Sequence, residues 1–268
     1  MYKARYSLAY NPFDKESHRT GSHFESEDFR QMTGRLGHLA KIRGVGLFTA
    51  SPGYGKTYCL RDFFSSLNPN LHLPVYICLS TVSVAEFYRQ LCFMLGLAPK
   101  GGKPGMFRAI QEQAAYQYKE KRQPLLLAID EAQYLSTGIL NDIKMLMNYK
   151  CDSINCLSLI LCGEPHLNRI LSTPIHEALR QRITVHYNFR GLTDQEAVDY
   201  IIHKLCKAGS SKAVIDEAAL SAVAGHAHGN PRVIDTIMSD ALIIGSQQDK
   251  ACIDADVILA AVENRNLS

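Results

Sequence analysis

Eight consecutive residues, Ala50-Ser51-Pro52-Gly53-Tyr54-Gly55-Lys56-Thr57, restrict the fold of this chain more than any other stretch. They follow an apolar run, Gly46 to Ala50, that reads as a strand, and they lead directly into a helical pattern from Lys56 to about Ser66. The run fits the Gly-x-x-x-x-Gly-Lys-Ser/Thr pattern of a phosphate-binding loop, with Ala50 at the first glycine. In such a loop the glycines let successive backbone N–H groups wrap phosphate oxygens, Lys56 reaches the β and γ oxygens, and the Thr57 hydroxyl ligates Mg²⁺. The N-terminus of the following helix adds partial positive charge. Pro52, Gly53, Tyr54, Gly55, Lys56, Thr57 and Tyr58 are therefore the expected nucleotide contacts. An ordinary Gly-rich turn with a solvated lysine would not require a strand before it and a helix after it.

The partner of this loop lies further along. Leu125-Leu126-Leu127-Ala128-Ile129 is an unbroken apolar run, as expected of a strand buried on both faces of a parallel sheet, and it delivers Asp130 and Glu131 at its carboxyl end. Asp130 is expected in the Mg²⁺ shell, and Glu131 is expected to orient and deprotonate the attacking water. Capping of the next helix is the alternative role for this pair. Asp130-Glu131-Ala132-Gln133 also resembles the acidic motif of superfamily 2 helicases, but those enzymes need a second lobe, and the pattern after Gly191 is helical.

Further strands are read at Leu73 to Leu79, Leu157 to Cys162 and Ile183 to Phe189, and helices at Val82 to Leu95, Met106 to Lys121 and Leu140 to Tyr149. Alternating strands and helices imply right-handed βαβ units. From Thr193 the pattern is helical only: Asp194 to Ala208, Asp216 to Ala227, Pro231 to Ser246 and Asp254 to Glu263. The expected architecture is an α/β core with a parallel sheet over residues 1–191 and a small C-terminal helical domain over 192–268.

Composition narrows the remaining choices. With 46% hydrophobic residues in 268, a sizeable core is available, and a formal net charge of +3 leaves the whole-molecule field weak, so any nucleic-acid surface must be local. The eight cysteines, at 59, 78, 92, 151, 156, 162, 206 and 252, never form a CxxC pair and mostly sit in apolar runs. They are expected as small buried hydrophobes in a reducing cytosol. Neither a long uncharged apolar stretch nor a secretory leader is evident, so a cytoplasmic protein with no membrane association is expected.

Four more segments carry a family resemblance that spans nearly the whole chain. Tyr10-Asn11-Pro12-Phe13, Gly163-Glu164-Pro165-His166-Leu167, Leu179-Arg180-Gln181-Arg182-Ile183 and Gly229-Asn230-Pro231-Arg232, with the motifs above, resemble the ExeA-like branch of AAA+ ATPases. That branch also takes in the TnsC and TniB proteins of bacterial transposons. The resemblance implies a P-loop AAA+ core with a helical lid, ATP and Mg²⁺ as cofactors, and ATP-dependent self-assembly into a ring or filament. It places Asn11, Pro12 and Phe13 by the adenine. It makes Arg182 the arginine finger offered to a neighbouring subunit, with Arg180 as the alternative, and Pro231 and Arg232 the sensor 2 segment at the start of a lid helix. Cys162 and Glu164 both stand where the sensor 1 polar residue belongs, and the choice between them stays open. His226 and His228 have no cysteine or carboxylate at ligand spacing and read as ordinary histidines.

Two tasks follow from this resemblance. One is binding of duplex DNA without sequence preference, recruiting a transposase and responding to a target-selector protein. The other is support for assembly of a secretion apparatus. ExeA itself continues into a membrane span and a cell-wall-binding domain, which this sequence does not include, so the DNA task is expected. Lys100 and Lys103, in a Gly/Pro/Lys loop from Leu97 to Gly105, are the expected DNA contacts, since a sequence-independent grip needs only repeated lysines.

Overall fold

A computed structural model describes residues 2–14, 23–78, 83–148, 155–210 and 214–264. Along the chain, α1 (Tyr2–Arg5) and α2 (Glu27–Ile42) precede β1 (Val45–Thr49), α3 (Lys56–Ser66) and β2 (Leu73–Cys78). Then come α4 (Val84–Met94), α5 (Gly102–Lys119), β3 (Leu125–Asp130), α6 (Thr137–Leu146), β4 (Leu157–Gly163), α7 (His166–Ser172), α8 (Glu177–Arg180) and β5 (Ile183–Asn188). The helices α9 (Asp194–Lys207), α10 (Glu217–Ala227), α11 (Pro231–Gln247) and α12 (Ala255–Glu263) complete the order. Contacts divide the chain into a sheet unit, Gln31–Pro52 with Lys56–Phe189, and a helical unit, Met1–Arg30 with Gly53–Gly55 and Arg190–Ser268.

In the sheet unit five strands pair in parallel in the order β2-β3-β4-β1-β5. The three inner strands are buried at every position, which is why they read as mainly apolar runs, while β2 and β5 at the edges are partly exposed. Apolar side chains from α4, α5 and α6, among them Phe87, Leu91, Ile110 and Ile139, fill one core with Leu127 and Leu161. Helix α2 lies close against β1 and β4. A Cβ at Gly46 would stand 2.6 Å from Leu39 Cδ2, and the buried Ser158 hydroxyl donates to the Leu39 carbonyl at 3.2 Å. Only glycine at position 46 permits that approach.

The helical unit has its own core, in which Tyr6, Leu8 and Phe13 from the N-terminal segment pack with Ile201, Ile234, Met238 and Ile258. Arg5 Nε donates to the Lys250 carbonyl at 2.8 Å, and the buried Asp28 carboxylate accepts from the N–H groups of Arg190 and Gly191 at 3.1 and 2.8 Å. The helices are capped by their own sequence: Thr193 and Glu196 form a capping box on α9, and Asp216, Asn230 and Asp254 cap α10, α11 and α12.

Several expectations are corrected. Tyr6, Leu8 and Phe13, expected with the 1–191 core, bury their side chains in the helical unit. Helix α5 begins at Gly102 rather than Met106, since Pro104 is tolerated in a first turn whose N–H groups have no intrahelical partner. Helix α6 starts at Thr137, capped by Ser136, rather than at Leu140. Helix α2 was not anticipated at all. Cys59, Cys92, Cys156 and Cys162 are buried free thiols, but Cys78 and Cys206 are exposed. Leu79, Val82, Tyr149 and Cys151 lie outside the described residues.

Candidate nucleotide site

The site is built at the carboxyl ends of β1 and β3, where parallel sheets place their ligands. The Ala50 N–H donates to the Gly163 carbonyl at 3.0 Å, which ties the start of the loop to the end of β4. Gly53 and Gly55 then take φ of +90° and +87°, backbone conformations that turn consecutive N–H groups the same way. Helix α3 begins at Lys56 itself. Proximity explains why Gly53 cannot carry a side chain, because a Cβ there would stand 2.5 Å from Asn230 Oδ1 and 2.9 Å from Arg232 Cβ. Within the helical unit, the loop apex and the start of α11 are therefore neighbours. Tyr54 also donates to the His228 carbonyl at 3.3 Å.

Lys56, Thr57, Asp130 and Glu131 lie together. Lys56 Nζ, almost fully buried, stands 3.8 Å from Asp130 Oδ1 and 3.9 Å from Glu131 Oε1. The Thr57 hydroxyl donates to Asp130 Oδ2 at 2.6 Å. Asp130 is 1% exposed, and a buried carboxylate is tolerated only where cations and donors surround it. Tyr76 on β2 supplies one more donor, its hydroxyl lying 3.0 Å from the same Oδ2. Burial and then the Asp130 charge push the Tyr76 phenol upward, so it remains a donor. A hydroxyl and a buried carboxylate 2.6 Å apart beside a lysine are a hard-oxygen donor set suited to Mg²⁺ when phosphates complete the shell.

Glu131 adopts a left-handed φ of +56°, a conformation that residues other than glycine usually adopt under local constraint. The constraint is visible. Gln133 Nε2 donates to Glu131 Oε2 at 2.7 Å, and Gln133 Oε1 accepts from the Glu164 N–H at 3.1 Å. Tyr76 and Gln133, which bond Asp130 and Glu131, were not singled out by sequence reasoning. Cys162 is completely buried and its thiol is pushed well up, first by desolvation and then by Asp130. Glu164 meets Gln133 through its backbone.

The remaining expected residues sit elsewhere. Arg182 donates to the Lys144 carbonyl in the last turn of α6 at 3.5 Å and to Asn148 Oδ1 just past it. Exposed Arg180 donates to the Ser172 carbonyl at 2.9 Å. Neither bond involves Asp130 or Glu131. Pro231 occupies the first turn of α11 and the Arg232 side chain is exposed. Tyr58 on α3 is half-buried, its phenol pushed up by desolvation and then by Asp62. Pro12 and Phe13 are buried, with Lys204 Nζ 5.5 Å from the Phe13 ring, and Asn11 is half-buried, its Oδ1 accepting from the Phe13 N–H. Lys100 is exposed, but Lys103 belongs to the first turn of α5 and is paired with Asp142 at 2.7 Å. His226 and His228 are exposed at the end of α10. No helix among the described residues is long and apolar enough to cross a membrane.

A five-stranded parallel sheet with this strand order, a phosphate loop after β1 and an acidic pair after β3 is the fold of the P-loop AAA+ ATPases. Residues 40–171 match the family described as AAA domain. The chain is 28% identical over 223 residues to General secretion pathway protein A of Aeromonas hydrophila, an alignment covering 82% of this chain and 40% of that protein. Among solved structures it is similar to Cdc6p from Pyrobaculum aerophilum, with a TM-score of 0.69, 17% identity and coverage of 94% of this chain and 71% of that one. The Aeropyrum pernix ORC1 protein in complex with DNA gives 0.65, with 14% identity, 94% of this chain and 68% of that one. The RuvB Holliday junction branch migration motor of Thermotoga maritima gives 0.58, with 19% identity, 91% of this chain and 71% of that one. AAA+ ATPases use ATP with Mg²⁺, and the match to the AAA domain and the fold are consistent with ATPase activity.

Proposed function

We propose that this protein hydrolyses ATP as an assembly-dependent switch, with Lys56 holding the β and γ phosphates, Thr57 and Asp130 holding Mg²⁺, and Glu131 taking the proton of the attacking water. The observation that carries this reading is the meeting of Lys56 Nζ, Asp130 and Glu131 within 4 Å, with Thr57 on Asp130. Bound Mg²⁺ would neutralise charge developing on the phosphate oxygens. Arg182 is the finger presented to the next subunit, with Arg180 as the alternative, because its hydrogen bonds hold it on α6 rather than on its own acidic pair. Arg232, whose Cβ stands beside Gly53, is the sensor of phosphate occupancy on α11. Asn11, Pro12 and Phe13 form the adenine side.

The client proposed is duplex DNA, gripped without sequence preference by an ATP-loaded ring or filament that recruits a transposase under a target selector. The motif resemblance and the DNA complexes known for proteins of the same fold support this. A second reading, service to a secretion apparatus, is favoured by the 28% identity to General secretion pathway protein A. Imaging and fluorescence anisotropy with duplex DNA, with and without a non-hydrolysable ATP analogue, test the choice. DNA-bound assemblies that need nucleotide are expected; no binding even at low salt would overturn the DNA reading and leave the secretion reading.

A further inference from the structure

We propose that Gln133 is a positioning residue for ATP hydrolysis, fixing which oxygen of Glu131 takes the proton; this rests on Glu131 being the base. The Gln133 amide spans two anchors. Its Nε2 donates to Glu131 Oε2 at 2.7 Å, and its Oε1 accepts from the Glu164 N–H, just past β4, at 3.1 Å. A primary amide donates at one end and accepts at the other while staying neutral, so it bridges a carboxylate and a backbone N–H without adding charge to the site. With Oε2 engaged, Oε1 is the oxygen that stands 3.9 Å from Lys56 Nζ, the side on which the phosphates are expected. The two carboxylate oxygens are thereby given different tasks.

Two further observations point the same way. The left-handed φ of Glu131 is a local constraint that the bridge from the side chain to β4 helps maintain. At Gly163, a Cβ would stand 2.6 Å from Gln133 Oε1, so the residue that pairs with Thr49 in the sheet also leaves room for the amide. The polar side chain that bridges the base and the end of β4 is thus Gln133. Cys162 is a desolvated thiol, and Glu164 contributes its backbone.

The test is steady-state turnover, read as kcat against KM, alongside binding of a fluorescent ATP analogue, for wild type, Gln133→Leu, Gly163→Ala and Glu131→Gln. Gln133→Leu is expected to lower kcat by roughly 10- to 100-fold and to leave nucleotide affinity within about twofold. Gly163→Ala, which displaces the amide without removing it, is expected to lower kcat at unchanged affinity. It also covers the case in which Gln133→Leu folds poorly. Wild-type kcat in either folded variant, with Glu131→Gln inactive, would overturn the positioning role alone. Full turnover by Glu131→Gln would overturn the assignment of the base, and the positioning role with it.

Discussion

On the proposed reading the chemistry separates at Lys56 and Glu131, because one side chain would hold phosphate and the other would activate water. Lys56→Ala is expected to abolish nucleotide binding, while Glu131→Gln keeps binding and loses turnover; calorimetric titration and a phosphate-release assay read the two effects. Tyr76 gives a subtler outcome. Its hydroxyl shares Asp130 Oδ2 with Thr57, so Tyr76→Phe is expected to raise the Mg²⁺ concentration for half-maximal turnover by roughly 10-fold, with ATP affinity little changed. Equal Mg²⁺ curves for variant and wild type would remove Tyr76 from the site. The motif residues were legible because their spacing along the chain is the signal. Tyr76 and Gln133 were not, since Tyr76 reaches Asp130 through the β2–β3 register and Gln133 reaches Glu164 through the order of β3 and β4. Neither proximity has a counterpart in local sequence.

Among the elements, α9 and α11 are joined by an ion pair between Lys204 and Asp235 at 2.7 Å, with Tyr200 donating to the same carboxylate at 2.9 Å. Burial pushes the Lys204 ammonium down, against the pull of Asp235. Removing one partner strands the other, so Lys204→Met is expected to lose about 3 kcal/mol in a urea unfolding curve, and Lys204→Met with Asp235→Leu to recover most of it. If the double variant is no more stable than the single, the pair is not what limits this contact. Element legibility followed burial. Strand β3 was readable because both faces are covered, so every residue from Leu125 to Ile129 is apolar. Helix α2 buries Phe29, Met32, Leu36 and Leu39 at helical spacing, but Thr33, Gly34 and Gly37 lower its propensity and dilute the pattern. In α5 the run of Gly101, Gly102, Pro104 and Gly105 imitates a loop, although proline is at home in a first turn.

For the assembled molecule, Arg182→Ala is expected to leave the nucleotide affinity of a single subunit near wild type and to cut concentration-dependent turnover by roughly 10³-fold or more, measured as specific activity against protein concentration. Undiminished turnover would return Arg182 to its bonds with Lys144 and Asn148. On the DNA reading, two lysines per subunit correspond to a slope of about −2 for log affinity against log salt, and Lys100→Ala with Lys103→Ala should flatten it. The Lys103 pair with Asp142 competes with phosphate, so Asp142→Asn is expected to tighten binding. An unchanged slope in the lysine variant would move the contact elsewhere.

The seating of the N-terminal segment has a consequence in time rather than in space. Arg5 bonds Asp249 and Lys250 across a separation of 244 and 245 residues, and Tyr6, Leu8 and Phe13 fill a core whose other walls are α9 to α12. During synthesis Tyr6, Leu8 and Phe13 must wait for α9 to α12 before they can bury their side chains, whereas the described strands of the sheet unit are all present once Asn188 has emerged. Such distant closures are slow, and apolar residues left waiting are exposed to misassociation. A nascent chain arrested after Phe189 should therefore show a protease-resistant sheet unit and a cleavable segment from Tyr2 to Asp14, and only emergence of α12 should protect both.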